Sequence, residues 1–142
     1  MIDDRHQEFE RFMQQRREVA AAYVDGDALP LAGISTRSDP ASFFGPGGGV
    51  AQGAAHVLEV NDAGARHFAP GGYNELEVLH AQACGDLAYW VGIQRARVHV
   101  RGQAAPVEMA LRVTEIFRRE EGLWKLVHRH ADGLVDPQAR QG

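Results

Sequence analysis

The chain has 142 residues, a formal net charge of −4, 44% apolar side chains and 24% charged ones, the proportions of an ordinary folded domain and not of a disordered chain. That length is enough for one domain, 1–142, which buries roughly two-thirds of its unfolded surface without a disulfide or metal staple. Its densest basic run, Arg95 to Arg101, falls on an expected strand, so the balance of charge excludes a phosphate-neutralising surface and with it non-specific nucleic-acid binding.

The single cysteine, Cys84, excludes an internal disulfide and makes a reducing compartment, the cytoplasm, the expected location. The first residues, Met-Ile-Asp-Asp-Arg-His, hold no apolar run, and neither a signal peptide nor a membrane span is expected.

From Asp3 to Asp25 the apolar residues Phe9, Phe12, Met13, Val19, Ala20, Tyr23 and Val24 recur at three and four. This spacing predicts one long amphipathic helix, capped by Asp3 or Asp4 and stopped by Gly26. Asp27 then reads as the cap of a short helix carrying Leu29, Leu31 and Ile34, with Pro30 in its first turn, where no N–H is needed. Ala41 to Phe44 predicts a short edge strand, followed by a Gly-Pro-Gly-Gly-Gly loop. The loop lacks both the Gly-Lys-Ser/Thr of a phosphate cradle and the spaced glycines of a dinucleotide fold, so it reads as a loop or lid. A third helix after Gly53 shows Val57, Val60, Gly64 and Phe68 on one face and is expected to end at Pro70-Gly71-Gly72. Gly64 in its middle costs about 1 kcal/mol against alanine, so something must approach closely there or the helix is weak.

Extended runs follow at Tyr73 to Ala83, Leu87 to Val100, Val107 to Arg118 and Leu123 to Asp132. In the third, Val107, Met109, Leu111, Val113, Glu115 and Phe117 alternate with mostly polar residues, which is the period of a strand with one buried face. In the last, Trp124, Leu126, His128 and His130 are expected on the outer face and Val127 and Arg129 on the inner one, beside Val113. With Trp90, Val98, Val100 and Ile116, the outer face would then be apolar enough to predict a homodimer built through it. Helices gathered before long antiparallel strands make the fold class α+β: three helices on a strongly curved, mostly antiparallel sheet that forms a cone. The open end of a cone is a natural ligand pocket.

Helix-Gly26-Asp27-helix, Phe43-Phe44-Gly45-Pro46 and the closing Trp124-Lys-Leu-Val-His128-Arg-His130 resemble the SnoaL-like group of the nuclear-transport-factor-2-like superfamily, which has a cystatin-like fold. That superfamily also holds ketosteroid isomerase, scytalone dehydratase and the association domain of calmodulin-dependent kinase. The resemblance implies a pocket, but not an intact isomerase site. It places Gly45 where the isomerase has its general-base aspartate and Val19 where it has its hydrogen-bonding tyrosine. The third isomerase residue, a protonated acid, falls at or near Glu115.

Glu115 is also the only charge on its apolar stripe, so desolvation should raise its pKa unless a cation is near. By the resemblance, Arg95 and Arg129 point into the pocket with Tyr89, Val91 and Ile93, while Val19, Tyr23 and Val113 complete its lining. Either Glu115 and these arginines orient a ligand or they form an internal ion pair. His128 and His130 share a face, yet lack the further ligands of a zinc site, and neither metal nor cofactor is expected.

The resemblance therefore points to a protein that binds a small apolar molecule, with Glu115 as its candidate catalytic residue. A cofactor-independent isomerase, cyclase or dehydratase acting on an apolar ring, and a non-catalytic homodimeric assembly module, are the alternatives.

Overall fold

A computed structural model describes residues 4–135 of the chain. In chain order the elements are α1 (Asp4–Val24), α2 (Leu29–Ile34), β1 (Ser42–Phe44), β2 (Val50–Gln52), α3 (Ala54–Ala65), β3 (Phe68–Cys84), β4 (Leu87–Val100), β5 (Val107–Glu120) and β6 (Leu123–Gly133). The strands form one six-stranded sheet in the order β2-β1-β6-β5-β4-β3. All neighbours are antiparallel except β1 and β6, which run parallel. The α+β class and the three helices are as the sequence predicts. Asp3, one of the two expected caps of α1, lies outside the described residues. Asp27 does accept the Leu29 N–H, at 3.0 Å. No helix among the described residues is long and apolar enough to cross a membrane.

The apolar stripe of α1 lies on the inner face of the sheet, and an aromatic cluster joins them. Phe9 meets Phe117 and Trp124 with ring centroids 5.5 Å apart in both pairs, and Phe12 meets Phe117 at 5.0 Å. Such pairs contribute about 0.5–1.5 kcal/mol each beyond the area they bury. Around them pack Met13, Val19, Leu31, Ile34, Leu76, Trp90, Val113 and Leu126.

The pairing of β5 with β6 is as expected, and so are the faces of β6 from His128 onward, with Arg129 inward and His128 and His130 outward, but those of Trp124 and Leu126 are not. Trp124 was expected outside and Val113 inside, and both lie in the same buried core. The cause is a bulge: Ile116 pairs with His128 and Phe117 with Leu126, which leaves Val127 without a partner across the ladder. One extra residue inverts the alternation beyond it. Trp124 and Leu126 therefore point inward on one side of Val127, and Arg129 and Ala131 on the other.

On β4 the inner face is the even set, Ala88, Trp90, Gln94, Ala96 and Val98, each buried. Tyr89, Val91, Ile93 and Arg95 consequently stand on the outer face. The dimer surface drawn from Trp90, Val98, Trp124 and Leu126 is corrected with them, since all four are 6% exposed or less inside one chain. What the outer face does present is Leu79, Leu87 and Ile116, together with the half-buried Val91 and Ile93.

Two element boundaries also move. The third helix stops at Ala65, and Phe68 already belongs to β3, because Pro70-Gly71-Gly72 is a break within a strand instead of a helix end. There Asp25 Oδ1 accepts the N–H groups of Gly71 and Gly72, at 3.2 and 2.8 Å. The glycine loop after β1 is the turn of a hairpin, with Phe44 paired to Val50, and Asp39 Oδ1 supplies α3 with a capping acceptor for the Ala54 N–H at 2.7 Å.

A second bulge, at Leu79, brings the β3 backbone over Gly92. A Cβ at position 92 would meet the Glu77 carbonyl carbon at 3.0 Å and come closer still to its oxygen. Since the obstacle is backbone, Gly92→Ala should destabilise the fold by about 3 kcal/mol or more, measured by urea denaturation. A midpoint unchanged from the parent protein would refute this account of the bulge.

Candidate functional site

Three polar residues on three separate elements meet at the inner face. Arg16 of α1 donates through Nε to Glu115 Oε1 at 2.8 Å and through Nη2 to Oε2 at 2.7 Å. Arg129 of β6 donates through Nη1 to Oε2 at 2.7 Å, and Trp90 Nε1 donates to Oε1 at 2.7 Å. A second layer continues outward, with Arg129 Nη2 donating to Gln94 Oε1 at 2.6 Å and Gln94 Nε2 to Asn74 Oδ1 at 2.7 Å.

Glu115 is 0% exposed. Burial alone would raise its pKa, but the charges and hydrogen bonds of Arg16 and then Arg129 outweigh it and hold the carboxyl at about 2. It is ionised at neutral pH, with no proton to give. The sequence expectation of an acid is therefore replaced by that of an anion which anchors two guanidinium groups. Arg129 was an expected partner. Arg95 was too, but it pairs with Glu77 at 3.5 Å on the outer face.

Above this cluster lies a cavity of ≈ 280 Å³. Its walls come from Ala20, Tyr23 and Val24 of α1, Leu31 of α2, Phe43 and Pro46 of the β1–β2 hairpin, Asn61 and Gly64 of α3, Phe68 of β3, and Ala96, Met109 and Leu111 of β4 and β5. Arg16, Gln94 and Arg129 form its polar end.

Of the residues expected to line the pocket, Tyr23 and Arg129 do so. Val19 and Val113 sit in the core beside it, and Glu115 lies behind the arginines, outside the lining. Tyr89, Val91, Ile93 and Arg95 are on the opposite side of the sheet. Arg16, Asn61 and Gln94 were missed. Arg16 had a visible signal, since it interrupts the helical apolar series Phe12, Met13, Val19, Ala20 at the spacing of that stripe.

Tyr23 explains the mid-helix glycine. Its hydroxyl occupies the place where a Cβ at position 64 would stand, and burial pushes the phenol pKa up, with Arg129 opposing more weakly. On the outer side, Ser42 Oγ and His128 Nδ1 are 2.7 Å apart, and the Phe44 ring sits edge-on to both His128 and His130. Among the described residues no group of three or more His, Cys, Asp or Glu side chains is placed to hold a metal.

A family model described as a SnoaL-like domain matches residues 13–132. The chain belongs to the SnoaL-like domain family. Solved structures of similar fold include members of the nuclear-transport-factor-2-like superfamily. A superfamily member from Salmonella enterica superposes with a TM-score of 0.76 at 14% identity, covering 94% of this chain and 95% of that one. The CaMKII hub homology domain of Chlamydomonas reinhardtii gives 0.71 at 20% identity, over 89% and 98%. A protein with a cystatin-like fold from Caulobacter vibrioides gives 0.70 at 17% identity, over 95% and 92%. At these identities the likeness is one of fold. Among curated proteins nothing matches the chain.

The cluster makes two predictions. Glu115→Gln leaves two buried guanidinium groups without their anion and should cost about 3–5 kcal/mol, read as a lowered urea midpoint. The folded carboxyl titrates near 2 against 4.5 unperturbed, so its contribution is fully present above pH 4.5 and is lost as the pH falls towards 2. On the order of 3 kcal/mol of parent stability should disappear across that window and be absent from the Gln variant; parallel pH profiles of the two proteins would contradict it. Separately, Gly64→Ala should gain about 1 kcal/mol in a Tyr23→Phe background and less, or nothing, beside the native hydroxyl, measured as a double-mutant cycle.

Proposed function

We propose that this SnoaL-like domain binds a small, largely apolar molecule in the cavity between α1 and the sheet. The observation that carries the reading is the cavity itself: largely apolar walls from α1, α2, the β1–β2 hairpin, α3, β3, β4 and β5 converge on one end formed by Arg16, Gln94 and Arg129, the pattern of a site that holds a body by packing and orients it by a few polar contacts. Glu115 serves as the ionised brace of that end. The positions that the family resemblance assigns to the isomerase base and tyrosine are Gly45 and Val19, which supports binding, or chemistry of another kind, over steroid isomerisation. A dehydratase or cyclase reaction would have to draw its proton donors and acceptors from Tyr23 and His67, with Asn61 as a hydrogen-bonding group beside them in the same lining.

The test is a thermal-shift screen of apolar aromatic and alicyclic carbonyl compounds. It compares the parent protein with Ala96→Leu, which fills the cavity from the sheet side. A ligand at a hundred times its Kd adds about 2.7 kcal/mol, a shift of roughly 6–10 °C for a domain of this size. If no compound stabilises the parent more than it stabilises Ala96→Leu, the cavity is not a ligand site.

A second, compatible reading is assembly of copies through the outer sheet face. Leu79 is 62% and Leu87 56% exposed there, beside Val91 and Ile93, and hub and association domains are among the proteins of similar fold. The parent protein should then sediment as a dimer or larger at micromolar concentration and Leu79→Lys should shift it towards monomer. A monomeric parent protein would remove this reading.

A further inference from the structure

The cavity's polar end carries more positive charge than the protein neutralises. Arg16 is 3% exposed and the Arg129 side chain 15%, and the one carboxylate that pairs with either of them among the described residues is Glu115. Two guanidinium charges face one carboxylate, and a positive charge is left over. It stays whether Glu115 is ionised or not, since protonation would only enlarge it.

The carboxylate is already saturated, for Oε1 accepts from Arg16 and Trp90 and Oε2 from Arg16 and Arg129. The donors that remain are those turned away from it, at Arg16 Nη1 and Arg129 Nε. Asn61 is 8% exposed, lines the same cavity as the two arginines, and its side-chain amide has no hydrogen-bond partner among the described residues. The nearby carboxylate of Asp62 does not compensate the arginines, as it is paired on the surface with Arg66. The Asn61 amide is open to the cavity and not sealed off, because Trp124 Nε1 is the one enclosed side-chain N or O atom without a partner among the described residues; amide and guanidinium donors thus line one space.

We propose that the ligand is a monoanion, an apolar body bearing one carboxylate, whose head group takes the free edges of Arg16 and Arg129 and a hydrogen bond from the Asn61 amide. This rests on the reading of the cavity as a ligand site. Its size agrees: ≈ 280 Å³ equals about nine waters at ~30 Å³ each, room for one ring or a short chain with a head group. Arg16 Nη1 and Arg129 Nε can each donate one charge-assisted hydrogen bond to a carboxylate, and Glu115 holds both guanidinium groups in place from behind. The apolar residues Leu31, Phe43, Phe68 and Met109 would take the body of the molecule.

The experiment is isothermal titration of the parent protein with a matched pair, 4-phenylbutyrate and 4-phenylbutyramide, repeated on Arg129→Gln and Asn61→Leu. One charge-assisted hydrogen bond corresponds to roughly 10- to 100-fold in affinity. The carboxylate should bind the parent that much more tightly than the amide. The preference should collapse to within about threefold in Arg129→Gln, where Arg16 and Glu115 remain as a neutral pair, while amide binding persists. Asn61→Leu should weaken the carboxylate without affecting the fold. Equal binding of the two probes, or a preference for the amide, overturns the monoanion and leaves the apolar pocket standing. Binding of neither overturns both. The parent comparison decides the matter even if a variant fails to fold.

Discussion

The contact on which the rest of the structure depends is the one between Arg16 and Glu115, residues 99 apart in the chain and both nearly inaccessible to water. It fixes α1 over the sheet at one rotation and one height, because a doubly hydrogen-bonded guanidinium tolerates neither sliding nor turning. Aromatic packing between Phe9, Phe12 and Phe117 supplies attraction without such direction. Trp90 and Arg129 then commit β4 and β6 to the same point, so four elements share one carboxylate. Buried ion clusters are poor sources of net stability and better sources of specificity; here the gain is a single arrangement of the walls around a cavity.

Much of this was legible in the sequence. The fold class followed from the order of helices and strands, and β5 showed its buried face and its buried acid without ambiguity, since Glu115 interrupts an otherwise apolar alternation. The same rule holds elsewhere. Arg16 on α1 and Gln94 on β4 are each polar interruptions of an apolar stripe, and each lines the cavity or braces it. On β4 the residues Tyr89, Val91 and Ile93 stand outside, while the inner face mixes the large Trp90 and Val98 with the small Ala88, Gly92 and Ala96, so bulk does not mark which face is buried. A strand beneath a cavity and a close backbone crossing needs small side chains more than greasy ones.

The faces of β6 ahead of Val127 were not legible, because a bulge leaves no local mark. Nothing in Leu126-Val127-His128 announces that one residue will be left out of the ladder; the requirement is tertiary. Trp124 must reach the aromatic cluster and Arg129 must reach Glu115, five positions apart and hence of opposite parity on a regular strand. Only an extra residue between them satisfies both. The fold likeness to hub domains and to members of the nuclear-transport-factor-2-like superfamily is consistent with this economy, in which one scaffold is retained while the lining changes.

The bulge at Val127 also changes how the protein can tolerate alteration. Substituting Val127 touches one half-buried side chain, and deleting it would leave Leu126 opposite Phe117 and His128 opposite Ile116 on a regular ladder, with Trp124 and Arg129 four positions apart and both still facing inward. An odd spacing with one bulge and an even spacing without one thus present the same two faces, and what the bulge adds is a local bend of the strand. The constraint on this strand is therefore the shared inward direction of its tryptophan and its arginine, which more than one length of chain between them can satisfy.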